Sequence, residues 1–328
     1  MDRKKIDAIF RNAAGKRICI IGDIMLDRYM FGNVSRISPE APVQVFDLKE
    51  TINRLGGAAN VSLNIKTLGA EPFLIGVIGN DSTGKVLKSE LKRLKQDTSG
   101  IITDTTRHTT CKTRVISDSH HLIRIDSESK IDINRKTEAA VLKKLESVSR
   151  KTALIILQDY NKGVLTRTLI GKILSLAKKR KIKVLVDPKF ENFFEFRETF
   201  LFKPNKKEIE DAFGRKSKSE ADLNDMVLKL TKKLKCSNVV LTLGEHGMRI
   251  YSRKNGRISV SSVKTVAKKV ADVSGAGDTV ISTIAFCLAG GAGVTDAAFI
   301  SNIAAGIVVE EVGIVPVYGD KLYKKLIS

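Results

Sequence analysis

The chain has 328 residues, 42% of them hydrophobic, which suits one large α/β domain and excludes a disordered or fibrous protein. Its formal net charge is +21, but only 5% of residues are aromatic and none is tryptophan, so a base-stacking nucleic-acid surface is disfavoured against steering of small anions. The four cysteines form no CxxC pair, which excludes a disulfide framework and points to a reducing, cytoplasmic setting.

In chain order, no apolar run follows the charged N-terminus, and Arg17 to Ile21 reads as a buried strand ended by Gly22-Asp23. Asp23 and Asp27 follow that strand end, where open α/β sheets bind ligands and where carboxylates can accept pairs of sugar hydroxyls. Residues 25–55 then alternate in short stretches such as Val43-Gln44-Val45-Phe46, the pattern of strands with one buried face. Gly56-Gly57-Ala58-Ala59-Asn60 opens a helix over Ala58 to Leu68, with glycines that let backbone approach a ligand and an Asn60 amide suited to a hydroxyl. A strand over Phe73 to Ile78 follows. Gly79 to Lys85 nearly matches a P-loop, but Val86 stands where Ser or Thr should hold Mg2+, so Asp81 or Ser82 reads instead as the cap of a helix over Thr83 to Leu94.

A second alternating stretch, residues 105–126, includes Lys112-Thr113-Arg114-Val115-Ile116 and could pair with the first as a small lid. A strand over Ala153 to Leu157, a helix over Leu165 to Lys179, and strands over Val184 to Val186 and Val239 to Leu243 come next. Two helices, Gly277 to Leu288 and Thr295 to Val309, close the series; the uncharged run Thr279 to Thr295 is too short and polar to span a bilayer. Continuous rather than alternating strands imply a mostly parallel sheet with helices on both faces. Lysine clusters such as Lys178-Lys179, Lys206-Lys207, Lys232-Lys233, Lys268-Lys269 and Lys324-Lys325 fall mostly at helix ends or on polar faces.

Asp272-Val273-Ser274-Gly275-Ala276-Gly277-Asp278 precedes the first of those closing helices. Small residues there let N–H groups meet an anion at a helix start, and Asp278 is placed as a base for a hydroxyl that attacks phosphate. A tight loop whose aspartate caps the helix is the alternative.

Taken together, these segments resemble the ribokinase (PfkB) family of sugar kinases. The first family signature is carried by Gly56-Gly57-Ala58-Ala59-Asn60-Val61-Ser62 with Gly69 and Gly79, the second by Asp272 to Asp278. Asn205-Lys206-Lys207-Glu208 matches the family's Asn-x-x-Glu motif, and Thr242-Leu243-Gly244-Glu245-His246-Gly247 its nucleotide loop. Gly22 to Tyr29, Ser35 to Val43, Leu122 to Asp126, Asp159-Tyr160-Asn161-Lys162-Gly163 and Val186 to Lys189 are similar to the heptose 7-phosphate kinase branch of lipopolysaccharide core synthesis. In many bacteria that kinase is fused to an adenylyltransferase with a His-x-Gly-His motif, a pattern that His108, His120, His121 and His246 do not form.

The resemblance implies a single ribokinase-like domain over residues 1–328 with lid segments at about 25–55 and 105–126. It implies Asp278 as base, with Gly275, Ala276 and Gly277 as anion hole. Asp23, Asp27, Gly56, Gly57, Asn60 and Asp159 would hold the sugar, and Arg36, Lys112, Arg114 or Lys162 its phosphate. Asn205, Glu208, Thr242, Gly244, Gly247 and Asn302 would serve ATP, with Glu208 organising Mg2+ and Asp272 near a monovalent cation such as K+. A homodimer formed through the lid is expected, and the alternatives are another sugar or nucleoside kinase of the same family or a basic nucleic-acid-binding module on an inactive kinase scaffold.

Overall fold

A run such as Ile18-Cys19-Ile20-Ile21, apolar at every position, is stable only between two apolar layers. The computed structural model, which describes residues 1–118, 120–265, 271–311 and 313–328, places it there; the Lys268-Lys269 pair lies outside the described residues. Helix α1 (Arg3–Ala13) leads into β1 (Arg17–Gly22), which sends Ile18 and Ile20 into one core and Cys19 and Ile21 into the other. Then come β2 (Ile24–Ile37), β3 (Gln44–Gly57), α2 (Ala58–Leu68), β4 (Glu71–Ile78), α3 (Ser82–Arg93) and β5 (Ile101–Thr103). β6 (Thr110–Ser117), β7 (His120–Ser127), α4 (Arg135–Ser149), β8 (Thr152–Gln158), α5 (Arg167–Arg180), β9 (Lys183–Asp187) and β10 (Leu201–Phe202) follow. The last third holds α6 (Lys206–Ala212), α7 (Glu220–Leu234), β11 (Asn238–Thr242), β12 (Met248–Lys254), β13 (Arg257–Val263), α8 (Ala276–Ala289), α9 (Val294–Val308) and α10 (Gly319–Ile327).

Among the described residues nine strands make the main sheet, in the order β13-β12-β11-β10-β9-β8-β1-β4-β5. β12 and β13 pair antiparallel at one edge, and β1, β4, β5, β8, β9, β10 and β11 run parallel. One core joins the sheet to α1, α2, α8, α9 and α10, the other to α4, α5 and α7. The strand order reverses around β1, so the ends of β1, β8 and β9 open into one mouth, the usual ligand position of such sheets. All four cysteines are free and buried in these layers.

The two alternating stretches do form one accessory sheet, β3-β2-β6-β7, with β2 antiparallel to β3 and parallel to β6. It rises from the mouth as a lid whose outer strand β7 is exposed along its whole length. Asp81 accepts from the Gly84 amide and caps α3, which accounts for the near P-loop sequence. α5 starts at Arg167, later than its apolar run suggests, because Thr166 caps it. The helices α1, α4, α6 and α7 add to the expected elements, each announced by a side-chain cap at Asp2, Asn134, Asn205 or Ser219. Among the described residues no helix is long and apolar enough to cross a membrane.

Candidate active site

Gly275 adopts φ +80°, a left-handed turn that starts α8 and brings its first amides to the mouth of the sheet. The opening turn of a helix has N–H groups without intrahelical partners and a positive dipole end, so it suits an anion. Asp278 stands in that turn, 2% exposed. Its Oδ2 accepts from Asn60 Nδ2 at 2.8 Å. Its Oδ1 accepts from Gln158 Nε2 at 3.1 Å and from the Tyr160 hydroxyl at 2.7 Å. Burial is the main cause that pushes the Asp278 carboxyl up to about 7, with the Asp187 charge adding to it and the Asn60 and Tyr160 donors opposing it. A carboxyl poised near neutrality beside an anion-binding turn is suited to take a proton from a hydroxyl.

An ion pair borders the turn. Lys203, 3% exposed, lies 2.9 Å from Asp187 Oδ1, and Gln158 Nε2 bridges Asp187 Oδ2 at 3.0 Å to the Asp278 contact. A Cβ built on Gly277 would come within 3.7 Å of Lys203 Nζ, so this cation faces the opening turn of α8. Sequence reasoning gave no role to Lys203 or Gln158. Lys203 carried one legible sign, a lysine directly after the fully buried pair Leu201-Phe202.

The expected sugar residues divide into two groups. Asp27, Gly56, Gly57, Asn60 and Asp159 gather around the mouth. A Cβ on Gly56 would sit 2.0 Å from Asp27 Oδ2, so only glycine leaves that carboxylate in place, and Gly57 at φ +58° turns the chain into α2. Asp27 pairs with Arg114 Nη1 at 2.5 Å; burial raises its carboxyl and Arg114 opposes the rise. Asp159 Oδ1 accepts from Asn161 N at 2.8 Å, while its buried Oδ2 has no hydrogen-bond partner among the described residues. Burial first, then the Asp23 charge, pushes the Asp159 carboxyl up to about 7.

The second group is otherwise engaged. Asp23 has three of its acceptor positions filled by backbone: Oδ2 accepts from the amides of Tyr160 and Lys162 at 2.8 and 3.1 Å, and Oδ1 from Val164 at 3.2 Å. It anchors the loop after β8, because three converging amides satisfy a buried carboxylate. Lys162 pairs with Glu128 at 2.7 Å, and Lys112 with Asp126 at 3.3 Å and Glu128 at 3.6 Å, so neither is a free phosphate clamp in this state. Arg36 is exposed near the far end of β2.

On the nucleotide side, Asn205 and Glu208 build a reciprocal capping box on α6, each side chain accepting from the other's amide at 2.8 Å. Glu208 also pairs with Lys189, whose ammonium lies 5.8 Å over the Tyr160 ring. The Thr242 amide donates to Pro204 O at 3.0 Å and so lays the 242–247 loop beside Asn205. Gly244 and Gly247 hold positive φ there, and a Cβ on Gly247 would strike Val263 O. Asn302 Nδ2 donates to Lys264 O at 2.7 Å, which fixes the segment beyond β13. Asp272 accepts from the amides of Ser274 and Gly313 at 2.8 and 3.0 Å, and Arg54 of the lid donates to Ile314 O at 2.6 Å. The lid is thereby tied, through the 313–314 segment, to the turn that precedes α8.

The profile of the pfkB family carbohydrate kinases matches residues 16–317. The protein named "Bifunctional protein HldE" from Aliarcobacter butzleri is 39% identical over 307 residues, 94% of this chain and 63% of that protein. Its namesake from Geobacter metallireducens is 39% identical over 313 residues, 95% of this chain and 63% of that protein. The chain thus spans about 63% of the length of these relatives. Among solved structures, Arabidopsis thaliana ribokinase complexed with ribose and ATP superposes with a TM-score of 0.74 at 16% identity, covering 95% of this chain and 99% of that one. Escherichia coli phosphofructokinase-2 in complex with substrates and products gives 0.77 at 20% identity, covering 95% and 100%. These two share the ribokinase-like fold with this chain.

Proposed function

The chain belongs to the pfkB family of carbohydrate kinases, and we propose that it phosphorylates the 1-hydroxyl of D-glycero-β-D-manno-heptose 7-phosphate with ATP, giving the 1,7-bisphosphate. The observation that carries the reaction type is Asp278, a buried carboxyl pushed up to about 7 at the first turn of α8. The sugar hydroxyl gives its proton to Asp278. Its oxygen bonds to the γ-phosphorus as the bridging bond to ADP breaks, and the α8 turn with Lys203 balances charge on the transferring group. Little covalent chemistry is required of the protein, so alignment of hydroxyl and phosphate carries the rate.

Mg2+ fits as a companion of the nucleotide. It keeps several waters and takes one or two carboxylates alongside phosphate oxygens, and Glu208 can supply such a carboxylate. Among the described residues no cluster of three ligating side chains exists for a resident metal. When bound, Mg2+ would neutralise phosphate charge; a monovalent cation such as K+ would lie beside Asp272. The heptose assignment rests on the Ser35 to Val43 and Asp159 to Gly163 segments, and the product would feed ADP-heptose and lipopolysaccharide core synthesis. The HldE relatives are consistent with that branch.

A mass-resolved assay with ATP and heptose 7-phosphate tests the reading. The expected product carries one added phosphate at the anomeric position, and Asp278→Asn abolishes its formation while the fold is kept. Turnover of ribose, a nucleoside or fructose 6-phosphate with none of the heptose would replace the substrate and leave the reaction type.

A further inference from the structure

The base carboxylate is nearly saturated with donors. A charged carboxylate offers about four acceptor positions. Asn60 fills one on Oδ2, and Gln158 and Tyr160 fill two on Oδ1. One position remains, on Oδ2. Asn60 and Gln158 have further commitments, since Asn60 Oδ1 accepts from Asn64 and Gln158 Nε2 also donates to Asp187. The Tyr160 hydroxyl is aimed at Asp278.

Its backbone is held from behind. The Tyr160 amide donates to Asp23 Oδ2, and the same carboxylate takes the amides of Lys162 and Val164, so the loop cannot shift without losing three hydrogen bonds. Arg107 Nη2 donates to Lys162 O and braces the loop from the lid side. Burial above all, then the charges of Asp278, Asp187 and Asp27, pushes the phenol well above its ordinary range, so it stays a proton donor through the working pH range. Lys203 and Lys189 are the cations facing this cluster, paired with Asp187 and Glu208.

We propose, on the reading of Asp278 as the base, that Tyr160 is a positioning residue: with Gln158 it fills Oδ1, keeps the carboxylate charged and presents the remaining lone pair of Oδ2 to the attacking hydroxyl. The sugar proton then goes to Oδ2, and Tyr160 keeps its own proton throughout. A plain packing role for the ring predicts no change in the base's titration when the hydroxyl alone is removed.

The test is the pH profile of kcat/KM for Tyr160→Phe. Loss of the donor destabilises the charged carboxylate, so the acid limb moves up by about one pH unit. Below that limb kcat falls about tenfold, while KM for sugar and ATP stays within about twofold. Site-specific 3-fluorotyrosine at position 160 is a stronger donor of the same shape, and it moves the limb down. This arm also covers the case in which Tyr160→Phe melts early. A limb unmoved by both replacements overturns the role, and so does a loss confined to KM. Asp278→Asn is run alongside. If it retains turnover, the base itself is wrong; if it is dead while the Tyr160→Phe limb stays in place, only the role of Tyr160 fails.

Discussion

Asp159 shows how a single residue can trade stability for binding. Its Oδ2 is buried without a partner among the described residues, and its carboxyl titrates at about 7, against 3.8 for an unburied aspartate. The folded state therefore holds this proton more tightly than the unfolded chain. The group costs nothing below the unfolded value, and its cost grows as pH rises toward 7 and then levels off. Asp159→Asn is expected to stabilise the protein by about 2–4 kcal/mol at pH 8, and the gain should vanish near pH 4, as urea melts at the two pH values would show. The same variant should bind sugar more weakly, since stability and site function commonly oppose each other. At this scale the sequence was legible where spacing is local. Gly275, Gly277 and Asp278 stand in one short segment, and Asn60 follows a glycine pair. Lys203, Gln158 and Tyr160 carry no assigned role, because they lie at the ends of β10 and β8, which only the folded sheet brings together with α8. The amides that engage Asp23 were not legible for a related reason: they are more than 130 positions away.

Among the elements, α6 bears most directly on chemistry. Its capping box spends the side chains of Asn205 and Glu208 on the helix start while Lys189 holds Glu208 from outside. Asn205→Ala should cost about 1 kcal/mol of stability, the usual value of a lost cap, measurable by denaturant unfolding. It should also raise KM for ATP, because Thr242 and its loop register on this segment. The core strands were readable as unbroken apolar runs, and α2, α3, α8 and α9 fell within a residue or two of the expected limits. α4 and α7 do carry helical apolar spacing, at Val141, Leu145 and Val148 and at Leu223, Met226, Val227, Leu230 and Leu234, behind the caps Asn134 and Ser219, so both were legible in the sequence although neither is among the expected elements. β10 has two residues, too few for any pattern to show.

The whole molecule presents a lid with an apolar exterior. Ile37, Val43, Leu48, Leu122, Ile123 and Ile125 are all at least 42% exposed on its strands or their connections, and β3 and β7 are its open edges. Bare edges and apolar patches of this kind favour pairing with a second copy. A dimer is expected by sedimentation at micromolar concentration, and Ile123→Lys with Ile125→Lys, which share one face of β7, should shift it to monomer. The net charge of +21 gave no comparable guidance, since charge speaks to solubility and steering rather than to fold. The Asp278 carboxylate takes its donors from Asn60, Gln158 and Tyr160, which lie 218, 120 and 118 positions away along the chain. In synthesis from the N-terminus, Asn60, Gln158 and Tyr160 are all made before the carboxylate they contact. On the proposed function, a product interrupted before α8 could bury much of its sheet and still lack the proton acceptor for phosphoryl transfer.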